Sequence, residues 1–343
     1  MPVKLSLLER IAFRLNIGPA PVLDYVGALG LRAACSAERL GVFELLRGGS
    51  RSDADIAGRL DMDPRGVSTL LDALEAVGYV RRRNDRCELT RMAAKWTPRF
   101  RDGVAWFEGM AFDDWPDVEA RLRGEARPHD GVPEEGGEGS ALARAMGALS
   151  NARLMADEVV RRLRIDGSTR RLLDVGGGHG LYSARLCQRH AGLTATVVDG
   201  DEVALELAGR VLAEEHVAER VQLCQADFFA GDLGSGYDGA LLFNTLNLFE
   251  PDRRVELLAR IGAAIGPNGF VAILDQMRLP SRQGAARAVA DLTNLRLFDP
   301  ASRGAFGVSD LGWLARAGMR HERTSTLMSA PWMGLLIVRR ARR

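Results

Sequence analysis

The sequence predicts an α/β protein, with a doubly wound and mostly parallel sheet in the C-terminal half and an all-helical domain of winged-helix type before it. Three observations predict this. From Arg171 onward, short apolar runs at 172–175, 194–199, 221–225, 239–244, 270–276 and 334–339 alternate with helical stretches, as in a parallel sheet covered on both faces. The first run ends in a glycine cluster, Gly176-Gly177-Gly178-His179-Gly180. The first hundred residues instead show a period near 3.6, then a short ribbon.

In that first stretch, residues 22–34 and 37–46 read as two helices, the second with Leu40, Val42, Phe43, Leu45 and Leu46 on a broad apolar surface. Ser52 followed three residues later by Asp55 is a helix start. Pro64 opens a helix carrying Val67, Leu70, Leu71, Leu74 and Val77, and Gly78 closes it. Residues 79–90 form two short strands around an Asn84-Asp85 turn. Residues 99–163 join the halves: Trp106, Phe107, Met110, Phe112 and Trp115 concentrate apolar mass, 131–139 is an exposed loop, and 140–163 is helical. The expected domains are 1–98, a winged-helix-like dimerisation domain; 99–163, linking helices and a pocket wall; and 164–343, the sheet domain.

A chain of 343 residues accommodates two domains. Its formal net charge of +1 gives no bulk attraction to nucleic acid or acidic membranes. Residues 1–98 hold 15 Lys and Arg against 12 Asp and Glu, and the candidate recognition helix carries Asp72 and Glu75, which a phosphate backbone repels. The winged helix therefore reads as a scaffold rather than a DNA reader. Cys35, Cys87, Cys187 and Cys224 form no C-x-x-C pair, so buried thiols in a reducing cytoplasm are expected, with no metal site. Residues 1–15 lack the apolar core of a signal peptide, and no run approaches the ~20 apolar residues of a membrane span.

The glycine turn lets backbone approach a ligand, because no Cβ stands in the way. It lies at the carboxyl end of the first strand, where open α/β sheets bind ligands. A dinucleotide cradle has G-x-G-x-x-G, but here the third position is Leu181 and the third glycine is Gly180. Successive strand ends carry acids. Asp174 precedes the glycines, where a carboxylate can meet an ammonium. Asp199 can accept from both ribose hydroxyls. Asp227 can accept from an adenine amino group while Phe228 packs on the ring. Together they imply an adenosyl amino acid as ligand.

The stretch from Asp174 to Phe229 resembles the class I small-molecule O-methyltransferases of the caffeate and hydroxyneurate type, including bacterial antibiotic-tailoring members. The likeness extends to the winged-helix half, the Trp115 to Gly124 segment, Ala145-Met146, the Gly176 to Gly180 loop and Ala226-Asp227-Phe228-Phe229. It implies a Rossmann-like domain binding S-adenosyl-L-methionine through Asp174, Gly176, Gly178, Gly180, Asp199, Asp227, Phe228 and Phe243. It also implies a homodimer joined through the N-terminal domain, a small-molecule substrate from secondary metabolism, and Met146 in the wall of the acceptor pocket.

The resemblance breaks at the base. Where O-methylating members carry His-Asp, this chain has Asn247-Leu248, and Phe243 stands where a lysine is usual. The later stretch that supplies a supporting glutamate corresponds to Arg303-Gly304-Ala305-Phe306-Gly307. A phenol has pKa ~10, a positioned histidine contributes ~10²–10⁴-fold by taking its proton, and an asparagine cannot. Holding donor and acceptor in line can still supply ~7–11 kcal/mol, which suits carboxylates, amines near neutrality, acidic phenols or stabilised carbanions. Asn247 and Asp291 are the candidate catalytic residues; Asn244, Asn294 and His129, with Met146, are the candidate substrate contacts. Methyl transfer is the leading expectation. The alternatives are a methyltransferase-like enzyme that uses the cofactor in hydroxylation, decarboxylation or a pericyclic step, and a ligand-sensing winged-helix regulator.

Overall fold

The computed structural model describes residues 6–15, 17, 21–104, 108–113, 119, 122–123, 138–165, 167–278, 288, 291–292, 295, 306–307, 311–330 and 333–341. They fall in two compact units, Met1–Asp113 and Asp114–Arg343.

In the first unit, α1 (Leu7–Arg14) opens on a Ser6–Glu9 capping box. The expected helices 22–34 and 37–46 are instead α2 (Pro21–Arg39) and α3 (Val42–Arg47). The break falls at Gly41, whose φ of +79° turns the chain where an L side chain would be strained. Next come α4 (Asp53–Leu60), capped by Ser52 Oγ accepting from the Asp55 N–H, and α5 (Pro64–Ala76), capped by Asp63. The unit is not wholly helical, because β1 (Val80–Arg83) and β2 (Arg86–Leu89) pair antiparallel around Asn84 and Asp85, both at positive φ. α6 (Arg91–Phe100) follows. Phe43, Ile56, Leu71, Leu74, Val80 and Cys87 form the core. The ribbon arginines are paired within the unit: Arg82 with Asp53 (2.7 Å) and Asp72 (2.9 Å), and Arg81 with Glu88 (2.7 Å).

The second unit begins with α7 (Glu138–Leu163), followed by β3 (Arg171–Val175), α8 (Leu181–Arg189), β4 (Thr194–Asp199), α9 (Glu202–Glu214), β5 (Val221–Gln225), β6 (Tyr237–Phe243), α10 (Pro251–Ala264) and β7 (Ile265–Arg278). β8 (Phe306–Gly307), α11 (Gly312–Arg316), β9 (Met319–Thr326) and β10 (Met333–Arg340) complete it. The strand order is β5-β4-β3-β6-β7-β10-β9, with β8 against β7. Pairing is parallel from β5 to β7, and β10 runs antiparallel to both neighbours. One face packs under α7, α8 and α9 through Leu149, Met155, Leu186 and Val211, the other under α10 and α11 through Leu257, Leu258, Ile261 and Leu314. The doubly wound sheet is thus the expected one. β9 was not expected: Arg320, His321 and Glu322 stand exposed in succession on an edge strand, which leaves no period-2 signal.

The helix α7 is tied to the turn before β10 by Glu158, which accepts from the N–H groups of Met328 (2.9 Å) and Ser329 (2.8 Å) and from the Ser329 hydroxyl (2.8 Å). Burial alone would raise its carboxyl, but these donors and Arg162 lower it to about 2. A carboxyl lowered by folding adds stability above its unfolded value of 4.5, and loses that contribution as pH falls toward 2. Glu158→Gln is expected to destabilise the unit by about 1–2 kcal/mol at pH 7, the scale of weakened charge-assisted hydrogen bonds. Thermal melts should show the gap from the wild type narrowing between pH 4.5 and pH 2; a gap independent of pH would contradict this.

Candidate functional site

The chain leaves β3 for β4 on one side, and β6 lies on the other. The crevice at the carboxyl ends of the strands therefore opens between β3 and β6, at the topological switch point. β3 delivers the glycine turn there, and Gly176, Gly178 and Gly180 adopt φ of +67°, +47° and +66°. A Cβ on Gly176 would lie 2.7 Å from Thr245 Oγ1, and one on Gly177 would lie 2.7 Å from Asp174 Cγ. Gly177 was not among the sequence-based cofactor residues; it is the packing of Asp174 beneath it that requires glycine there.

The acids differ in setting. Asp199 lies against the turn, accepting from the Gly178 N–H at 2.9 Å and the Asp201 N–H at 3.0 Å. Each oxygen keeps a lone pair for a hydroxyl. Burial raises its carboxyl, partly offset by those N–H groups. Asp174 is only 2% exposed and accepts from the Ser183 hydroxyl at 2.6 Å, beneath the turn. Burial pushes it up to about 7. Asp227 is exposed, and it accepts from the Phe229 N–H at 2.8 Å to shape the turn after β5. Phe228 packs edge-on against Phe249, with centroids 5.8 Å apart. His179 is buried with Nδ1 accepting from the Leu181 N–H, and burial lowers it to about 4, so the ring is neutral at pH 7.

On the β6 side, Phe243 is buried and set edge-on to Tyr182, 4.8 Å between centroids, so its ring acts as packing surface. Asn244 is exposed at φ +55°, with its N–H donating to the Leu274 carbonyl at 2.7 Å. Asn247 sits on a single turn, Leu246–Leu248, where its N–H donates to Asp275 Oδ2 at 3.1 Å. Its side-chain oxygen is buried with no hydrogen-bond partner, as is that of Gln276. Asp275 is fully buried, accepts also from the Gln276 N–H, and is pushed up to about 7 by burial. Arg254 Nε donates to the carbonyls of Leu246 (2.9 Å) and Phe249 (2.6 Å). Asp275 and Arg254 thus clamp the turn that presents Asn247. Sequence reasoning missed both, although a lone acid in the apolar strand 270–276 is a visible signal.

Met146 on α7 is partly buried against the core. Asp291 is exposed. His129 and Asn294 lie outside the described residues. The geometry brings Asp174, Gly176, Gly178, Gly180 and Asp199 together, and meets them with the segment after β6 through Thr245.

An adenosyl amino acid fits these residues on three grounds: a turn that a Cβ would fill, a ribose-competent acid against it, and buried polar atoms without partners in Asn247 and Tyr182. Comparison with known proteins agrees. Residues 137–300 match the O-methyltransferase domain family. A 3-hydroxy-5-methyl-1-naphthoate 3-O-methyltransferase from Streptomyces sahachiroi is 29% identical over 296 residues, 83% of this chain and 84% of that protein. An aclacinomycin 10-hydroxylase from Streptomyces purpurascens is 27% identical over 327 residues, 90% of this chain and 86% of that protein. Human N-acetylserotonin methyltransferase, solved in complex with S-adenosylmethionine, superposes with a TM-score of 0.77 at 20% identity, covering 98% of this chain and all of that one.

Gly176→Ala is expected to destabilise the protein by about 1–3 kcal/mol through its left-handed φ and the Thr245 contact. It should also weaken S-adenosylhomocysteine binding at least about tenfold, the scale of ~1.4 kcal/mol lost. Gly167→Ala, with open space around its Cβ, should change neither. Calorimetry and thermal melts read both, and unaltered binding by Gly176→Ala would refute the cradle.

Proposed function

We propose that the chain, an S-adenosyl-L-methionine-dependent methyltransferase whose residues 137–300 match the O-methyltransferase domain family, methylates a small natural-product intermediate by positioning, without a histidine base. The observation that carries this is Asn247. It stands at the base position with its backbone pinned to Asp275 and its side-chain oxygen unpartnered, so it can orient a donor group but cannot take its proton at neutral pH.

The bound cofactor supplies an electrophilic methyl group on a sulfonium. Around it, the turn through Gly176, Gly178 and Gly180 admits the ligand to the backbone. Asp199 accepts from the ribose hydroxyls, and Asp227 with Phe228 holds the adenine. Asp174 serves the amino-acid end from beneath the turn, and Phe243 closes the wall behind it. On the acceptor side Met146 supplies apolar wall, while Asn244, Asn294 and His129 contact the substrate. Asp291 is the candidate second catalytic group, a carboxylate base to receive the proton of substrates that must lose one. Asp275 and Arg254 position the Asn247 turn. The scaffold is shared with a hydroxylase, but the matched family and the naphthoate relative are methyltransferases, and methyl transfer follows from them.

We further propose a homodimer joined through the N-terminal unit. Leu7, Leu8, Ile11, Leu15 and Ile17 are exposed on and just beyond α1, with Val22, Tyr25 and Leu29 exposed on α2. A second copy covering them accounts for that apolar surface. A cytoplasmic location is part of the same reading, one in which the free thiols of Cys35, Cys87 and Cys187 would stay reduced.

Incubation with S-adenosylmethionine and a panel of hydroxylated and amino aromatic acceptors should yield S-adenosylhomocysteine in step with methylated product. Turnover with the cofactor recovered intact would refute methyl transfer. Asn247→Ala should slow transfer about tenfold, the scale of one orienting hydrogen bond, rather than the ~10²–10⁴-fold of a lost general base. Sedimentation should give a dimer, and Leu8→Asp with Ile11→Asp a monomer; a wild-type monomer would end the dimer proposal.

A further inference from the structure

Tyr182 is the second residue of α8, directly after the turn. The side chain is 4% exposed, and its hydroxyl is sealed from solvent with no hydrogen-bond partner. The ring cannot swing freely: Phe243 meets it edge-on at 88°, and the His179 ring lies 6.0 Å away. The Asp174 carboxyl is close enough to interact with it electrostatically. A buried tyrosine hydroxyl normally finds a partner, and one left without costs the fold stability. Phenylalanine would fill the same volume without that cost, so the hydroxyl is an expense that packing does not explain.

Resting on the cofactor reading above, we propose that Tyr182 is a cofactor-holding residue whose hydroxyl donates to the carboxylate at the amino-acid end of S-adenosylmethionine. The surroundings select that end. Asp174, beneath the same turn, is an acceptor suited to the ammonium. Asp199, on the far side of Gly178, suits the ribose instead. An α-amino carboxylate needs one acceptor and one donor, and Asp174 and Tyr182 are that pair. His179 cannot replace the hydroxyl through Nδ1, which already accepts from the Leu181 N–H. The aromatic contact with Phe243 fixes the height of the ring, so Phe243 acts on the cofactor through Tyr182.

The test is Tyr182→Phe in the full chain, with calorimetry of S-adenosylhomocysteine and of 5′-methylthioadenosine, which lacks the amino-acid end. The variant should bind S-adenosylhomocysteine about 10- to 100-fold more weakly, the scale of a hydrogen bond to a charged group, and bind 5′-methylthioadenosine as the wild type does. The ligand-free variant should melt at the wild-type temperature or above it, because an orphaned hydroxyl has been removed. Unchanged S-adenosylhomocysteine affinity would overturn the assignment, as would an equal loss for both ligands. A lower melting temperature without ligand would also overturn it, by showing that the hydroxyl serves the fold. Failure of the wild type to bind S-adenosylhomocysteine would instead overturn the cofactor reading on which the assignment rests.

Discussion

Between β3 and α8 the backbone passes so close to its neighbours that a methyl group would collide with them. Thr245 stands over Gly176, Asp174 stands under Gly177, and Asp199 accepts from the Gly178 N–H. The remainder of the site is organised around this approach. It joins the end of β3 to the segment after β6, sets the N-terminus of α8, and aims Asp199 at the crevice. The sheet order makes it possible, since β4 and β6 depart to opposite sides of β3 and leave the space above it free.

Electrostatics around the crevice follow from burial rather than from net charge. Asp174 and Asp275 are both raised to about 7, and His179 is lowered to about 4. The two acids nevertheless have different work. Asp174 lies under the glycine turn, accepts from the Ser183 hydroxyl and is the acid proposed above for the amino-acid end of the cofactor. Asp275 gathers backbone N–H groups from the Asn247 turn and from its own strand, with Arg254 on the neighbouring carbonyls. A pinned asparagine that cannot ionise suits a reaction whose donor is already activated, because orientation then supplies most of what the protein must add.

The first unit is a different kind of structure. Its winged-helix outline carries arginines that are satisfied internally by Asp53, Asp72 and Glu88, and a first helix pair with exposed leucine and isoleucine. Charge is paired internally and apolar surface is left outside, and it is this surface that the proposed dimer would cover.

Much of this was legible in the residues alone. The strand and helix alternation after Arg171, the glycine cluster and the acids ending successive strands are local signals, so the sheet, the turn and the placing of Asp199 beside it followed from them. Gly41, Gly177, Asp275, Arg254, Tyr182 and the edge strand β9 did not follow, because their meaning lies in neighbours distant in sequence. Gly177 must be glycine only because Asp174 is folded beneath it, and Asp275 matters only because β7 delivers it to the turn after β6. Periodicity and turn chemistry act within a few residues and are written in the chain; which side chain loses its water, and which buried atom is left without a partner, is decided only when the strands close into one sheet.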